Sequence, residues 1–210
     1  MRPWLVAVLV CVALAGSAPD ACRAAPSLLG PQGAIVTPTA DTVGAGCYAL
    51  ALSHKPGWNY ISAGCSPLGS VEVGATIVDP TKPRSVPTRV GLSAKALLVR
   101  EGALAPSVAL GLWDIFRWVE RTPYAVASKN VGLPMLRRPV RASVGYGDGA
   151  LRGAFASVAV PFSPAVTGMV EYDGFHLNVG TRVVLPRGFA VNASLIGRAV
   201  GLGGAFGAAW

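Results

Sequence analysis

Cys47 and Cys65 flank the tetrapeptide HKPG at 54–57, and thiols so placed can oxidise to a disulfide across a hairpin. A hairpin turning near residue 56 sets 47 opposite 65. Alternation then puts both thiols on one face, with Tyr48, Leu50, Leu52, Trp58 and Tyr60 on the other. Two free thiols are the other reading. His54 falls in a turn and His176 at a strand start, and no second ligand type recurs at metal spacing. No G-x-S-x-G nucleophile motif occurs, and the glycine runs GYGDG and GLGGAFG fit neither dinucleotide nor phosphate-loop spacing. No catalytic, cofactor-binding or metal-binding residue is therefore expected, and the chain does not read as an enzyme.

What remains is charge. Glu72, Arg89, Lys95, Lys129, Arg141, Glu171, Asp173 and Arg182 are the candidate lumen charges. On one enclosed face they would either satisfy one another as ion pairs or form a weakly anion-attracting lining. Nucleic acid is a poor partner, because no Lys/Arg stripe interleaves with aromatics and LRRPVR at 136–141 is an isolated turn cluster.

The elements that must hold these charges are strands of period two. In SVEVGATIV, Val71, Val73, Ala75 and Ile77 alternate with Ser70, Glu72, Gly74 and Thr76. RVGLSAKAL, RASVGYG, HLNVGTRV and FAVNASL alternate in the same way. Eleven turn signals follow a first strand near 44–54: HKPG, SPLG, DPTKPRSVP, REGALAP, a break near 117–122, LPMLRRP, GDG, FSPA, DG, LPRG and a glycine break at 197–201. They cut the chain into about twelve antiparallel strands, within a range of roughly ten to fourteen. An even number returns both termini to one side.

Composition says which solvent such strands meet. Apolar residues make up 52% of the chain and charged ones 13%, about half the usual one-quarter. Met1-Arg2-Pro3, the apolar run WLVAVLVCVALA and small residues up to Ala24 form the n-, h- and c-regions of a secretory signal peptide, residues 1–25. Cleavage there leaves 16 basic and 9 acidic residues, a net charge of +7. No later segment supplies about 20 consecutive apolar residues for a spanning helix. An exported chain of this kind enters a membrane by closing a barrel. Residues 26–210 are therefore expected to form one all-β, antiparallel, up-and-down transmembrane β-barrel in the bacterial outer membrane, with outer-membrane lipid as partner and no cofactor. A soluble periplasmic β-sandwich binding module would alternate similarly and is the alternative fold.

The last strand, GLGGAFGAAW, places Leu202, Phe206 and Trp210 on one row. That row resembles the carboxy-terminal assembly signal of outer-membrane proteins, which implies the barrel-assembly machinery as a partner. Near the other end, GPQGAIVTPTADTVGAG contains Gly30, Gly33, Thr37-Pro38-Thr39-Ala40-Asp41 and Gly44. With VEVGATIVDP at 71–80, YAVASKNVG at 124–132 and EYDG at 171–174, it resembles the YjbH-like outer-membrane proteins associated with exopolysaccharide. The likeness spans roughly residues 28–210 and corresponds to a single barrel domain. It implies a non-enzymatic role in the cell envelope or in exopolysaccharide production or export, with polysaccharide or export components as partners. A small general diffusion channel is the alternative function.

Overall fold

The computed structural model describes Cys22 and residues 25–81, 87–136 and 138–210. The expected signal peptide, except Cys22 and Ala25, lies outside the described residues, as do residues 82–86 and 137. The strands are β1 (Cys47–Lys55), β2 (Trp58–Ser66), β3 (Val71–Pro80), β4 (Arg89–Val99), β5 (Ser107–Trp113) and β6 (Thr122–Val131). They continue as β7 (Val140–Gly147), β8 (Gly153–Pro161), β9 (Val166–Tyr172), β10 (Leu177–Val184), β11 (Phe189–Ile196) and β12 (Ala199–Ala209). Each pairs antiparallel with its neighbour and β12 returns to β1, so the sheet closes with no free edge. The expected twelve-stranded antiparallel barrel is what forms, and each expected break overlaps a connection, though 199–201 and 54–55 belong to strands. A single closed sheet leaves no second layer to pack against, so the sandwich alternative falls.

Alternation sorts the side chains into two environments. Outward rows carry Leu110, Val144, Tyr146, Leu177, Val200 and Leu202, each between 48 and 69% exposed. Inward rows carry Ser62, Thr76, Ser93, Ser128, Ser143 and Ser157, all buried. Apolar residues outside and polar ones inside invert the pattern of a water-soluble fold and match a wall bathed in hydrocarbon. Inward glycines make room for bulk on the next strand. A Cβ on Gly145 would lie 2.2 Å from the Phe155 ring, and one on Gly111 would lie 2.2 Å from the Tyr124 ring.

With an even strand count, residues 46 and 210 meet at one end, here called proximal, where the Trp210 N–H donates to the Gly46 carbonyl. At the distal end, β1 and β2 join through Pro56-Gly57, with Lys55 paired to Trp58 and Gly57 at φ +94°. The hairpin therefore turns between residues 56 and 57 rather than on 56. That half-residue displacement moves the register by one and reverses the face of every β2 side chain. Cys47 sits opposite Ser66, while Cys65 sits opposite Tyr48 and points outward. Trp58 and Tyr60 face inward, contrary to the sequence expectation.

The disulfide is correspondingly different. Cys47 is bonded to Cys22, and Cys65 is free. A chain cut near Ala25 would lack Cys22, so the bond belongs to a chain that keeps that residue. Among Cys22, Cys47 and Cys65, iodoacetamide is expected to label Cys65 alone in the native chain, and the other two only after reduction. Labelling of both Cys47 and Cys65 without reductant, in a chain whose mass begins at Ala25, would contradict this pairing.

Of the carboxy-terminal row, Leu202 is exposed on the outer wall and Phe206 is buried there between Phe189 and Tyr48, with ring centroids 4.8 and 6.2 Å away. Trp210 follows β12 at the proximal rim and is 67% exposed.

Candidate functional site: the occupied lumen

Residues 25–46 precede β1 and lie inside the barrel, where Leu28, Leu29, Ala34, Ile35, Val36, Ala40 and Val43 are buried. The segment folds back on itself as a compact plug. Bridges link Pro26 to Gln32 and Gly33 to Pro38, and the Ala34 N–H donates to the Thr37 carbonyl across a tight turn. Gly33 lies where a Cβ would stand 2.3 Å from the Thr37 carbonyl oxygen, so the turn closes only on glycine.

The inward charges hold this plug. Glu171, on β9, is 1% exposed and clasps the turn. Its Oε2 accepts from the Ile35 N–H at 2.9 Å, the Thr37 N–H at 3.1 Å and the Thr37 hydroxyl at 2.8 Å. Its Oε1 accepts from the Val36 N–H at 2.8 Å and the Asn178 amide at 2.9 Å. Glu72, on β3, accepts from the Gln32 N–H at 2.9 Å and the Val43 N–H at 3.0 Å. Lys95, on β4, stands 3.4 Å from Glu72 and donates to the carbonyls of Gln32, Thr39 and Asp41. Arg182, on β10, donates to the Ala34 carbonyl at 3.0 Å and to Asn192 at 2.8 Å. Ser128 accepts the Ala40 N–H at 2.9 Å, and the Thr76 hydroxyl donates to the Leu29 carbonyl at 2.8 Å. Strands alone satisfy their own backbones; the plug has little internal ladder, so its buried N–H and C=O groups need these side chains.

Arg141, on β7, pairs with Asp41 at the plug's end and with Glu101 in the 100–106 connection. Partial burial works to raise the Glu101 pKa. The Asn130 N–H, the Arg141 guanidinium and Lys129 outweigh it, and its carboxyl is held below the ordinary range. A lowered folded pKa gives stability that is present above the unfolded value and lost as pH falls through the folded one. Protease cleavage in the 100–106 connection is therefore expected to quicken only on acidification below the usual carboxylate range. Glu101→Gln should remove that pH step.

The eight charges expected to face the lumen do not all do so. Glu72, Lys95, Arg141, Glu171 and Arg182 point inward onto the plug or its partners. Asp173 and Arg89 face inward near the distal rim, where Asp173 accepts from Asn178 and from the Phe175 and His176 N–H groups. Arg89 donates to the Trp118 carbonyl at 3.0 Å. Lys129 is a correction: it pairs with Ala142 on the outward row, and its ammonium caps the carbonyls of Gly102, Ala103 and Ala105 at the proximal rim. The inward charges mainly serve backbone groups of the plug rather than pairing with one another across the barrel. Among the described residues no three His, Cys, Asp or Glu side chains cluster as a metal site. His54 meets Asn59 on the outside, and His176 sits 4.0 Å from Asp173.

The plug separates two cavities. A proximal one of about 920 Å³ is lined by Asp41, Thr42, Arg100, Glu101, Asn130 and Arg141 among others. A distal one of about 490 Å³ has Leu28, Leu29 and Val36 of the plug as its floor. Sequence reasoning missed the plug, and with it Cys22, Asp41, Ser128 and Asn178. The available signal was a stretch of about twenty residues, rich in Gly, Pro and Thr, without alternation and ahead of the first strand.

Neither a protein-family model nor a curated protein matches the sequence. Among solved structures the barrel is similar to the KdgM porin, with a TM-score of 0.54 and 10% identity over 78% of this chain and 99% of that one. It is also similar to the KdgM porin in complex with disordered oligogalacturonate, with a TM-score of 0.51 and 11% identity over 78% of this chain and 99% of that one. At such identity the likeness concerns the fold, which is that of a porin barrel.

Proposed function

We propose that this chain is an outer-membrane, porin-like channel whose lumen is closed at rest by its own residues 25–46. The observation that carries the reading is the convergence of Glu72, Lys95, Glu171 and Arg182 on the plug's backbone, with a cavity on either side of it. A wall of small inward residues such as Ala49, Ala51, Gly203 and Ala205 leaves a bore wide enough to need filling. The outward apolar band fits outer-membrane lipid, and the row of Leu202, Phe206 and Trp210 fits recognition by the barrel-assembly machinery. A signal peptide cut upstream of Cys22 would deliver the chain there.

The deciding experiment reconstitutes the purified, heat-modifiable protein in planar bilayers beside a Glu171→Gln variant. The native barrel is expected to give rare, brief openings and the variant frequent ones. Steady open-pore conductance from the native protein would overturn the closed lumen. Silence from both proteins, each still shifting on a gel when boiled, would overturn the channel.

A role in exopolysaccharide production or export, of the YjbH-like kind, is supported by one further observation. The segments that carry that resemblance converge in space: GPQGAIVTPTAD is the plug, VEVGATIVDP supplies Glu72, YAVASKNVG supplies Ser128, and EYDG supplies Glu171. They form one device for seating the plug. Polysaccharide or export components would be the partners in that reading, and loss of surface polysaccharide on deleting the gene would be its test.

A further inference from the structure

We infer that the distal cavity is a binding site for a small carboxylate carried on a six-membered ring. At about 490 Å³ it lies within the usual size of ligand pockets. Its wall presents the rings of Trp58, Tyr60, Trp113 and Phe175, and its floor is the apolar side of the plug. Trp113 is 3% exposed, and its indole N–H has no acceptor among the described residues.

Charge selects the ligand. Lys55, Arg89 and Arg152 line the cavity, and among the described residues none is in an ion pair. Arg152 is held with its guanidinium 4.6 Å over the Phe175 ring, which fixes a cation beside an aromatic face. The acidic groups there do not cancel this. Asp173 is spent on two backbone N–H groups and Asn178, and Glu120 is exposed on the 114–121 connection. The ring, planar or a chair with an apolar C–H face, would lie against Trp58 or Tyr60, and its carboxylate would meet Arg152 and Lys55. A sugar acid and an aromatic acid share this chemistry, and the inference is independent of whether the barrel conducts.

The test is titration of the tryptophan fluorescence of the full-length protein in detergent micelles. Glucuronate and benzoate are the probes, methyl glucoside and benzyl alcohol their neutral counterparts, and acetate the ringless carboxylate. One ring-bearing carboxylate is expected to saturate the signal, with its neutral counterpart and acetate at least about tenfold weaker. Which one saturates identifies the source as sugar or aromatic acid. Arg152→Gln and Lys55→Gln should each weaken binding by about tenfold while the heat shift on gels is unchanged. If no carboxylate saturates, if neutral ligands bind equally well, or if neither variant weakens binding, the site is not one for ring-bearing carboxylates.

Discussion

Glu171→Gln is expected to lower barrel stability by about 3–5 kcal/mol and to unseat the plug. The substitution keeps the shape of the side chain but replaces one acceptor oxygen with an amide that can only donate. Every group facing Glu171 is a donor: the N–H groups of Ile35, Val36 and Thr37, the Thr37 hydroxyl and the Asn178 amide. At least one backbone N–H is left buried without an acceptor, and the charge that strengthened the others is gone. The temperature at which the folded gel band disappears should fall by on the order of 10 °C. Protease should then cut within residues 25–46 of the reconstituted protein, where the native plug resists. Unchanged melting together with unchanged protection would mean that the turn is held by packing alone. Glu171→Asp, which keeps the charge but shortens the reach, should fall between the two.

The second large effect is expected at the buried Glu72–Lys95 pair. Lys95→Met removes a cation 2% exposed, strands the Glu72 carboxylate and leaves the carbonyls of Gln32, Thr39 and Asp41 without their shared donor. Deleting one partner of such a pair costs about 3–5 kcal/mol. Glu72→Gln should cost a similar amount, because the Gln32 and Val43 N–H groups lose a charged acceptor. The double variant should be less damaging than the sum of the two by about 1–3 kcal/mol, since neither charge is then left alone. Strict additivity would show that each residue serves the plug without sensing the other. The comparison is made on the heat-modifiable band, which reads the closed barrel whether or not it conducts.

Much of the barrel was legible because lipid and lumen impose opposite demands on successive residues. Val71, Val73, Ala75 and Ile77 point outward and Glu72, Gly74 and Thr76 inward, as alternation alone predicts. The phase of β2 was not legible, because Pro56-Gly57 admits a turn centred on a residue or between two, and the two choices differ by one in register. That Glu72, Lys95 and Glu171 face inward could be read; what they hold could not. Their partners are mostly main-chain N–H and C=O groups, which every residue carries, and the Glu171 contacts span 134 to 136 positions along the chain. Charge alone does not mark the interior, as Lys129 on the outward row shows. At the proximal rim an outward lysine instead reaches the carbonyls of a neighbouring connection. The pairing of Cys22 was not legible, because small residues before Ala25 resemble a cleavage site and a bond to a strand leaves no local pattern.

The bond between Cys22 and Cys47 makes a covalent ring of the plug, because residues 25–46 lie wholly between the two joined positions. Cys47 begins β1 at the proximal end, so both ends of the ring are moored on that side. A loop moored at both ends has no free tip to thread through the bore. Were it unseated, the ring would confine it to withdrawal toward that mooring, over a distance limited by its own circumference. Reduction would turn the loop into a tail and remove that limit.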